Sequence, residues 1–487
     1  MSIKKHSDTH STKHVKVLLK KLYDSSVVKD SLLDQALAYY EAQPINQHKL
    51  DELKFEVNEL TANETTKDQQ RIDQLEAEFR EFKQDLRYES NQRHKSLYTI
   101  CQDILTCTEG ATFKETNRKT AQLLGIIQLI SPTEGMRVAE VNEKHKPLYR
   151  AVLCMRLLDQ LCIEEASIVS SGYIHAFKEN ISGEEYKEFP SQDPAAYKTF
   201  VENVKIPLLM ASLVQDIGNY HPDAQAILNG KEGASNRHRT LKVEERKKLL
   251  QINYRETLKF LVDGIGAPIY VGNSKADRDK FNINEHKKLV FMKQLLKESV
   301  APKEGIGNLL KVPQIYASII LSTKSSYNFK LLPKVYQALD QNAERGTCSP
   351  SVVDSLRKIT GDFPQGFGVT YIPESENGEQ VDRYEYAIVN QLYPDKPDVP
   401  LCRTATRHLT FLSFGQDIAL PPERNLYYVE TAQQFSTISK ARLNEILEKL
   451  ASNYQERKKL DLLPRCWQAN DYFSISENQK LWNKAAV

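Results

Sequence analysis

The chain has 487 residues, 40% hydrophobic and 27% charged, which suffices for about two to four packed units and excludes a small disulfide scaffold or a wholly disordered chain. Lys and Arg total 66 against 64 Asp and Glu, and a net charge of +2 removes the strong basic field of non-specific nucleic-acid binding, so no nucleic-acid partner is expected. No apolar run approaches the roughly 18 residues of a membrane span, and residues 1–14 lack the apolar core of a signal peptide, so the chain is expected to be soluble and cytoplasmic.

In chain order, residues 1–14 carry His6, His10 and His14, which would share one face of a helix and suit a metal. The segment is rich in Ser, Thr and Lys, however, and is expected to be a frayed terminus. From Val15 to Ile130 the pattern is helical. Leu50, Leu53, Val57 and Leu60 are spaced 3, 4, 3; after a polar stretch, Ile72, Leu75, Phe79, Phe82 and Leu86 repeat 3, 4, 3, 4. The two seams are out of phase, so a hairpin turning near Asn63–Thr66 and one long rod both remain open. Such a stripe packs on its own hairpin or the next domain, or forms a homodimer seam.

Helical segments continue from Pro132 to Gly361, with apolar stretches at Tyr149–Leu161, Ile206–Val214, Arg246–Leu261, Lys287–Leu296 and Val312–Leu321. Composition then shifts. Pro364, Pro373, Pro394, Pro397, Pro400, Pro421 and Pro422 punctuate short runs at Gly368–Ile372, Tyr384–Val389, Leu409–Phe414 and Leu426–Val429, with a turn at Glu376–Glu379, predicting a small β unit. Ser436–Lys459 is predicted to be an amphipathic helix with Leu443, Ile446, Leu447 and Leu450 on one face, and the tail holding Trp467 and Trp482 is expected to pack on something. The expected fold is thus mainly α: a helical hairpin or coiled coil over 1–130, a helical domain over 131–362, a small β unit over 363–432, and a C-terminal helix and tail over 433–487. The seven cysteines, scattered without a C-x-x-C pair, read as reduced core thiols.

The most informative stretch is Leu208–Asn229, a buried helix whose end delivers Asp216, then Gly218 and a proline-initiated segment; Asp216 is a metal ligand or a helix cap. The order Asp216-Ile217-Gly218, Pro222-Asp223, Ile227-Leu228 resembles the core of the HD-GYP branch of HD-domain metal phosphohydrolases, whose members hydrolyse cyclic di-GMP. Thr240-Leu241 with Glu244-Glu245, Glu304-Gly305-Ile306-Gly307-Asn308 with Val312-Pro313, Pro350–Leu356 and Phe363-Pro364-Gln365-Gly366 are similar, in order, to later elements of that family. The resemblance spans roughly Tyr149–Pro400.

The departures from that pattern bear on activity. Hydrolysis in this class needs two or three metal ions held by several His and Asp side chains. Here the family's His before Asp is Gln215, and the Lys after Gly is Asn219. The next His falls at Ile252 or Asn253, the paired histidines near Ser299-Val300, and the Tyr-Pro of the glycine loop at Asn308-Leu309. The later ligand Asp falls in Leu321–Ser325, which has no carboxylate. Of the implied ligand set Asp216 alone survives, so no metal, cofactor or catalytic residue is assigned. Rebuilding a centre would require three of His175, His221, His238 and His286 to converge. A second loop, Asp263-Gly264-Ile265-Gly266-Ala267-Pro268, reads as a helix-ending turn or as a backbone approach to phosphate.

The resemblance implies a catalytically inactive HD-GYP-like signalling or scaffold protein. Protein partners or self-association would use the N-terminal helices, and cyclic di-GMP would be held by Arg237, Arg239, Arg246 and Lys247. The alternatives are an active cyclic dinucleotide phosphodiesterase with an altered centre and a structural self-assembling protein.

Overall fold

The computed structural model of the protein describes residues 7–24, 28–62, 69–170, 172–178, 181, 183–230, 235–374, 381–435, 438–450 and 462–483. Its main helices are α1 (His10–Tyr23), α2 (Leu32–Ala62), α3 (Gln69–Thr108), α4 (Phe113–Ile130), α5 (Val138–Ile163), α6 (Ile206–Val214), α7 (Pro222–Asn229), α8 (Val243–Lys259), α9 (Lys275–Glu298), α10 (Asn308–Ile320), α11 (Val335–Glu344), α12 (Pro350–Thr360) and α13 (Lys440–Leu450). Strands β1 (Gly368–Tyr371), β2 (Glu385–Val389), β3 (Leu401–Thr404), β4 (Thr406–Arg407), β5 (Thr410–Phe411), β6 (Asp417–Ala419) and β7 (Cys466–Trp467) follow the helical region. The protein is mainly helical with a small C-terminal antiparallel sheet, as its composition led one to expect.

The chain forms two compact units, one of residues 1–19, 104–201 and 298–487, the other of 20–103 and 202–297. These units cut across the four sequence segments, because the N-terminal hairpin packs with residues distant in sequence. Tyr23 donates its hydroxyl to the Leu213 carbonyl at 2.9 Å, and Tyr39 and Tyr40 meet Phe260 with ring centroids 5.4 and 5.9 Å apart.

Within the second unit, α2 and α3 run antiparallel. Lys49 pairs with Glu78 and lies over the Phe82 ring, while Arg71 pairs with Glu56, so rising numbers on one helix meet falling numbers on the other. Leu53 and Leu75 are buried, and the remaining seam residues are half-buried. The apolar stripe therefore packs within its own hairpin; the expected turn at Asn63–Thr66 lies outside the described residues.

In the first unit α5 is the core helix. Every residue from Pro147 to Cys162 is buried, as a helix apolar on all sides demands. Arg156 and Asp159 of this helix sit in a charge network. Arg156 pairs with Asp159 at 2.9 Å and with Glu109; Tyr186 donates to Asp159 at 2.7 Å and Tyr197 to Glu109 at 2.9 Å. Such pairing is what makes a buried guanidinium tolerable.

The sheet order is β6-β3-β2-β1-β7, antiparallel throughout, with β4 and β5 a separate hairpin. The tail packs as expected: Trp467 enters β7 and stacks on Tyr386 at 4.6 Å, and Trp482 lies so close to Gly125 of α4 that a Cβ there would stand 2.4 Å from its ring. α13 begins beside Ser439, whose Oγ accepts from the Arg442 N–H, and buries its four apolar residues; residues 451–461 and the Glu376–Glu379 turn lie outside the described set.

Two expectations are corrected. Residues 10–14 are helical and not frayed, because α1 starts a turn before its first buried apolar residue, with Thr9 accepting the Lys13 N–H on its carbonyl and held by Gln479. His6 lies outside the described residues. Leu426–Val429 forms no strand; Asn425 makes a single bridge to Tyr371, and a short helix over Val429–Phe435 follows.

Candidate functional site

α6 is a nine-residue run, IPLLMASLV, buried along its whole length, and it delivers Gln215 and Asp216 to a single 3₁₀ turn, Ile217–Tyr220. That turn is seated on α8. The Gly218 N–H donates to Thr257 Oγ1 at 3.1 Å, and Asn253 Nδ2 donates to the Gln215 carbonyl at 3.3 Å. Gly218 permits the approach: a Cβ there would stand 2.2 Å from the Asn253 carbonyl oxygen. The resemblance implies a histidine at Ile252 or Asn253, and the side chains bonded to this turn are an amide and a hydroxyl. Gln215 is buried, and its Oε1 has no hydrogen-bond partner among the described residues.

Beyond the turn, His221 caps α7, its Nδ1 accepting the Asp223 N–H at 3.2 Å. In the neutral imidazole this leaves the proton on Nε2, which lies 3.9 Å from Glu256. Glu256 is only 3% exposed and is ringed by cations. Arg255 donates to its Oε1, Lys259 Nζ lies 3.4 Å away, and Arg255 also reaches Asp223 at 3.7 Å. Tyr40 closes the cluster, with its ring edge-on to His221 at 5.2 Å and its hydroxyl donating to the Glu256 carbonyl at 3.2 Å. The Glu256 carboxylate is engaged by Arg255 and Lys259 of its own helix, and the Tyr40 bond to the Glu256 backbone carbonyl ties α2 to α8.

The other sequence candidates are placed as follows. Arg239 is engaged, donating to the Ile227 carbonyl at 3.0 Å and to Glu245 at 2.9 Å, where it joins α7 to α8. Arg237 lies over the Tyr220 ring at 5.9 Å. Arg246 and Lys247 are exposed on α8 beside the exposed Val243 and Leu250. Asn219 receives Gln225 Nε2 on its carbonyl at 2.6 Å. His175 belongs to the first unit, and His221, His238 and His286 to the second. Among the described residues no group of three or more His, Cys, Asp or Glu side chains could hold a metal ion.

Gly305 and Gly307 belong to the first unit, whereas Gln215, Asp216, Gly218 and Asn219 belong to the second. The glycine loop is a packed turn. A Cβ on Gly307 would stand 2.2 Å from the Glu298 carbonyl carbon, and one on Gly305 2.6 Å from Glu298 Oε2. The fully buried Asn308 spans it, donating to the carbonyls of Lys303 and Gly305 at 2.7 and 3.0 Å and accepting the Ser349 N–H at 2.9 Å.

The second loop, Asp263–Pro268, ends the helical run after α8, with Gly266 at φ +60°. Its backbone is clamped by α3. Arg93 Nε donates to the Gly264 carbonyl at 2.6 Å, Ser90 Oγ to that of Ile265 at 2.8 Å, and His94 Nδ1 to that of Gly266 at 3.1 Å; Asn91 Oδ1 accepts the Ile269 N–H at 2.9 Å. The loop thus offers carbonyls to α3, the opposite of the N–H cradle that a phosphate requires.

Sequence reasoning missed Glu256, Arg255 and Tyr40. Glu256 falls beside Thr257 and four residues after Ile252, on the buried face of an otherwise charged helix, and that placement was its one available signal. Compared with family models, with curated proteins and with solved structures, the chain finds no match in any of the three.

Proposed function

We propose that this protein is a non-hydrolytic signalling or scaffold protein built as a degenerate HD-GYP-like domain. The observation that supports the reading is the seating of Gln215–Gly218 on Asn253 and Thr257, with the amide Gln215 where the resemblance implies a histidine and only an amide and a hydroxyl bonded to the turn. Amides are poor ligands for iron or manganese, and one carboxylate does not hold a paired centre. Retained ligand recognition would fall to Arg246 and Lys247, since Arg239 is engaged by Glu245 and the Ile227 carbonyl.

The test is turnover of cyclic di-GMP by the full chain with added manganese or ferrous iron, alongside isothermal titration. Absence of linear dinucleotide product supports the reading. Turnover that Asp216→Ala abolishes overturns it in favour of an active phosphodiesterase. Heat of binding that is lost in the Arg246→Ala/Lys247→Ala double variant identifies those side chains as the phosphate contacts.

A further inference from the structure

A cavity of about 630 Å³ opens within the second unit, inside the roughly 300–1,000 Å³ range of small-molecule sites. Its walls come from four parts of the chain. α6 contributes Ile206, Pro207 and Met210; α9 contributes Phe281, Glu285, Lys288 and Met292; α3 contributes His94 and Tyr98. The clamped segment Gly266–Pro268 forms the remaining side. The floor is apolar, with Ile206, Met210 and Met292 each no more than 3% exposed. Two of the chain's five methionines meet here, and thioethers conform readily to flat or irregular apolar guests.

The polar groups set the ligand's chemistry. His94 is buried, and because a carbonyl only accepts, its bond to Gly266 places the proton on Nδ1. Burial holds the imidazole below its usual range, so near neutral pH it is uncharged. Nε2 is then a bare acceptor, with no partner recorded among the described residues. Glu202 accepts the Tyr98 hydroxyl on both oxygens, at 2.7 and 2.9 Å, and Glu285 pairs with Lys288 at 2.7 Å in a largely buried position. The lining's acceptors are thus His94, Glu202 and Glu285, and of its two ammoniums Lys288 is paired and Lys95 is exposed at the rim.

We propose that this cavity binds an uncharged, mostly apolar aromatic or polycyclic molecule carrying a hydrogen-bond donor, which His94 Nε2 or a lining carboxylate accepts. A phosphate ester such as cyclic di-GMP does not fit it, because the apolar floor cannot solvate the phosphates and the one partly buried ammonium, Lys288, is held by Glu285. The site is thus independent of the proposed function: the two sets of residues are different, and either reading can fail alone.

The probe is N-phenyl-1-naphthylamine, a neutral fused aromatic with one N–H, titrated by fluorescence into the full chain. Saturable, blue-shifted enhancement with a single class of site is expected. The sulfonated analogue 1-anilinonaphthalene-8-sulfonate, of the same shape but anionic, should bind at least about tenfold more weakly. Met292→Trp fills the floor, and Ala267→Phe plugs the half-exposed rim without touching the core; each should abolish the enhancement while circular dichroism and the melting temperature show a folded chain. Non-saturable enhancement, equal affinity for the anionic dye, or full binding by a folded Ala267→Phe variant would overturn the proposal.

Discussion

Replacing Gly218 by alanine probes the contact on which the candidate site rests. The new Cβ would stand 2.2 Å from the Asn253 carbonyl oxygen and 2.9 Å from the Asn253 carbonyl and α carbons, whereas ordinary contact begins at 3.4 Å. All three atoms are backbone, so no side-chain rotation relieves the clash, and the turn must move off α8 by the 1.2 Å difference. That displacement breaks the Gly218 N–H bond to Thr257, now 3.1 Å, and the Asn253 bond to the Gln215 carbonyl, now 3.3 Å. Two lost hydrogen bonds at about 1 kcal/mol each, with overpacking of about 1–3 kcal/mol, are offset by roughly 0.5–1 kcal/mol of reduced chain entropy in the unfolded state. The net is a loss of about 2–4 kcal/mol, or roughly 5–15 °C in melting temperature for a unit of this size. Gly346→Ala is the control: its φ is +71°, but nothing lies within 4 Å of the added Cβ, so only backbone strain of about 1 kcal/mol applies. Differential scanning calorimetry of both variants decides the matter. A Gly218→Ala transition within about 1 °C of the parent, or above that of Gly346→Ala, would refute the close approach of turn and helix.

Other perturbations have equally definite outcomes. Arg156→Met strips the buried Asp159 and the mostly buried Glu109 of their shared cation and should cost about 3–5 kcal/mol in denaturant unfolding; the double variant Arg156→Met/Glu109→Gln should recover part of it. Asn308→Ala removes three hydrogen bonds from a fully buried side chain and should cost about 2–3 kcal/mol, with no effect expected on melting if the glycine loop were loosely held. His94 has a pKa below its usual 6.5 because of burial, opposed by the Gly266 carbonyl and Glu285. The unfolded state therefore takes up the proton first, so stability should fall as pH drops below about 6.5, and His94→Gln should show a shallower loss on that acid side.

The helices were legible where apolar spacing repeats. Helices α2 and α3 follow from Leu53 and Leu75 with charges around them, though the seams left a hairpin and one long rod both open, and α13 follows from Leu443, Ile446, Leu447 and Leu450. The core helix α5 was visible as Tyr149–Leu161, an apolar stretch punctuated by residues that pair internally. Strand β7 was not legible, because Cys466–Trp467 is two residues long and its partner Gly368–Val369 lies far away in sequence. The start of α1 was missed because its first turn is held by Thr9 and Gln479 and by no apolar residue.

The candidate site was legible in part. Gln215, Asp216 and Gly218 were singled out together, and they do form one turn. Arg239 was singled out for its charge, which the fold spends on Glu245. Glu256 carried only the signal of its place on the apolar face of α8, since a carboxylate among Arg255, Lys259 and Glu245 looks solvated until Tyr40 and His221 cover it. The same holds for the cavity: His94, Met210 and Met292 come from three separate helices, and only their packing makes them neighbours.

The most direct test of the central reading is metal affinity at Asp216, measured by equilibrium dialysis of the purified full chain against manganese or ferrous iron with elemental analysis. The reading predicts no stoichiometric retention, and the same trace content in the parent and in Asp216→Ala. Stoichiometric metal in the parent that Asp216→Ala loses, while remaining folded by circular dichroism, would contradict it.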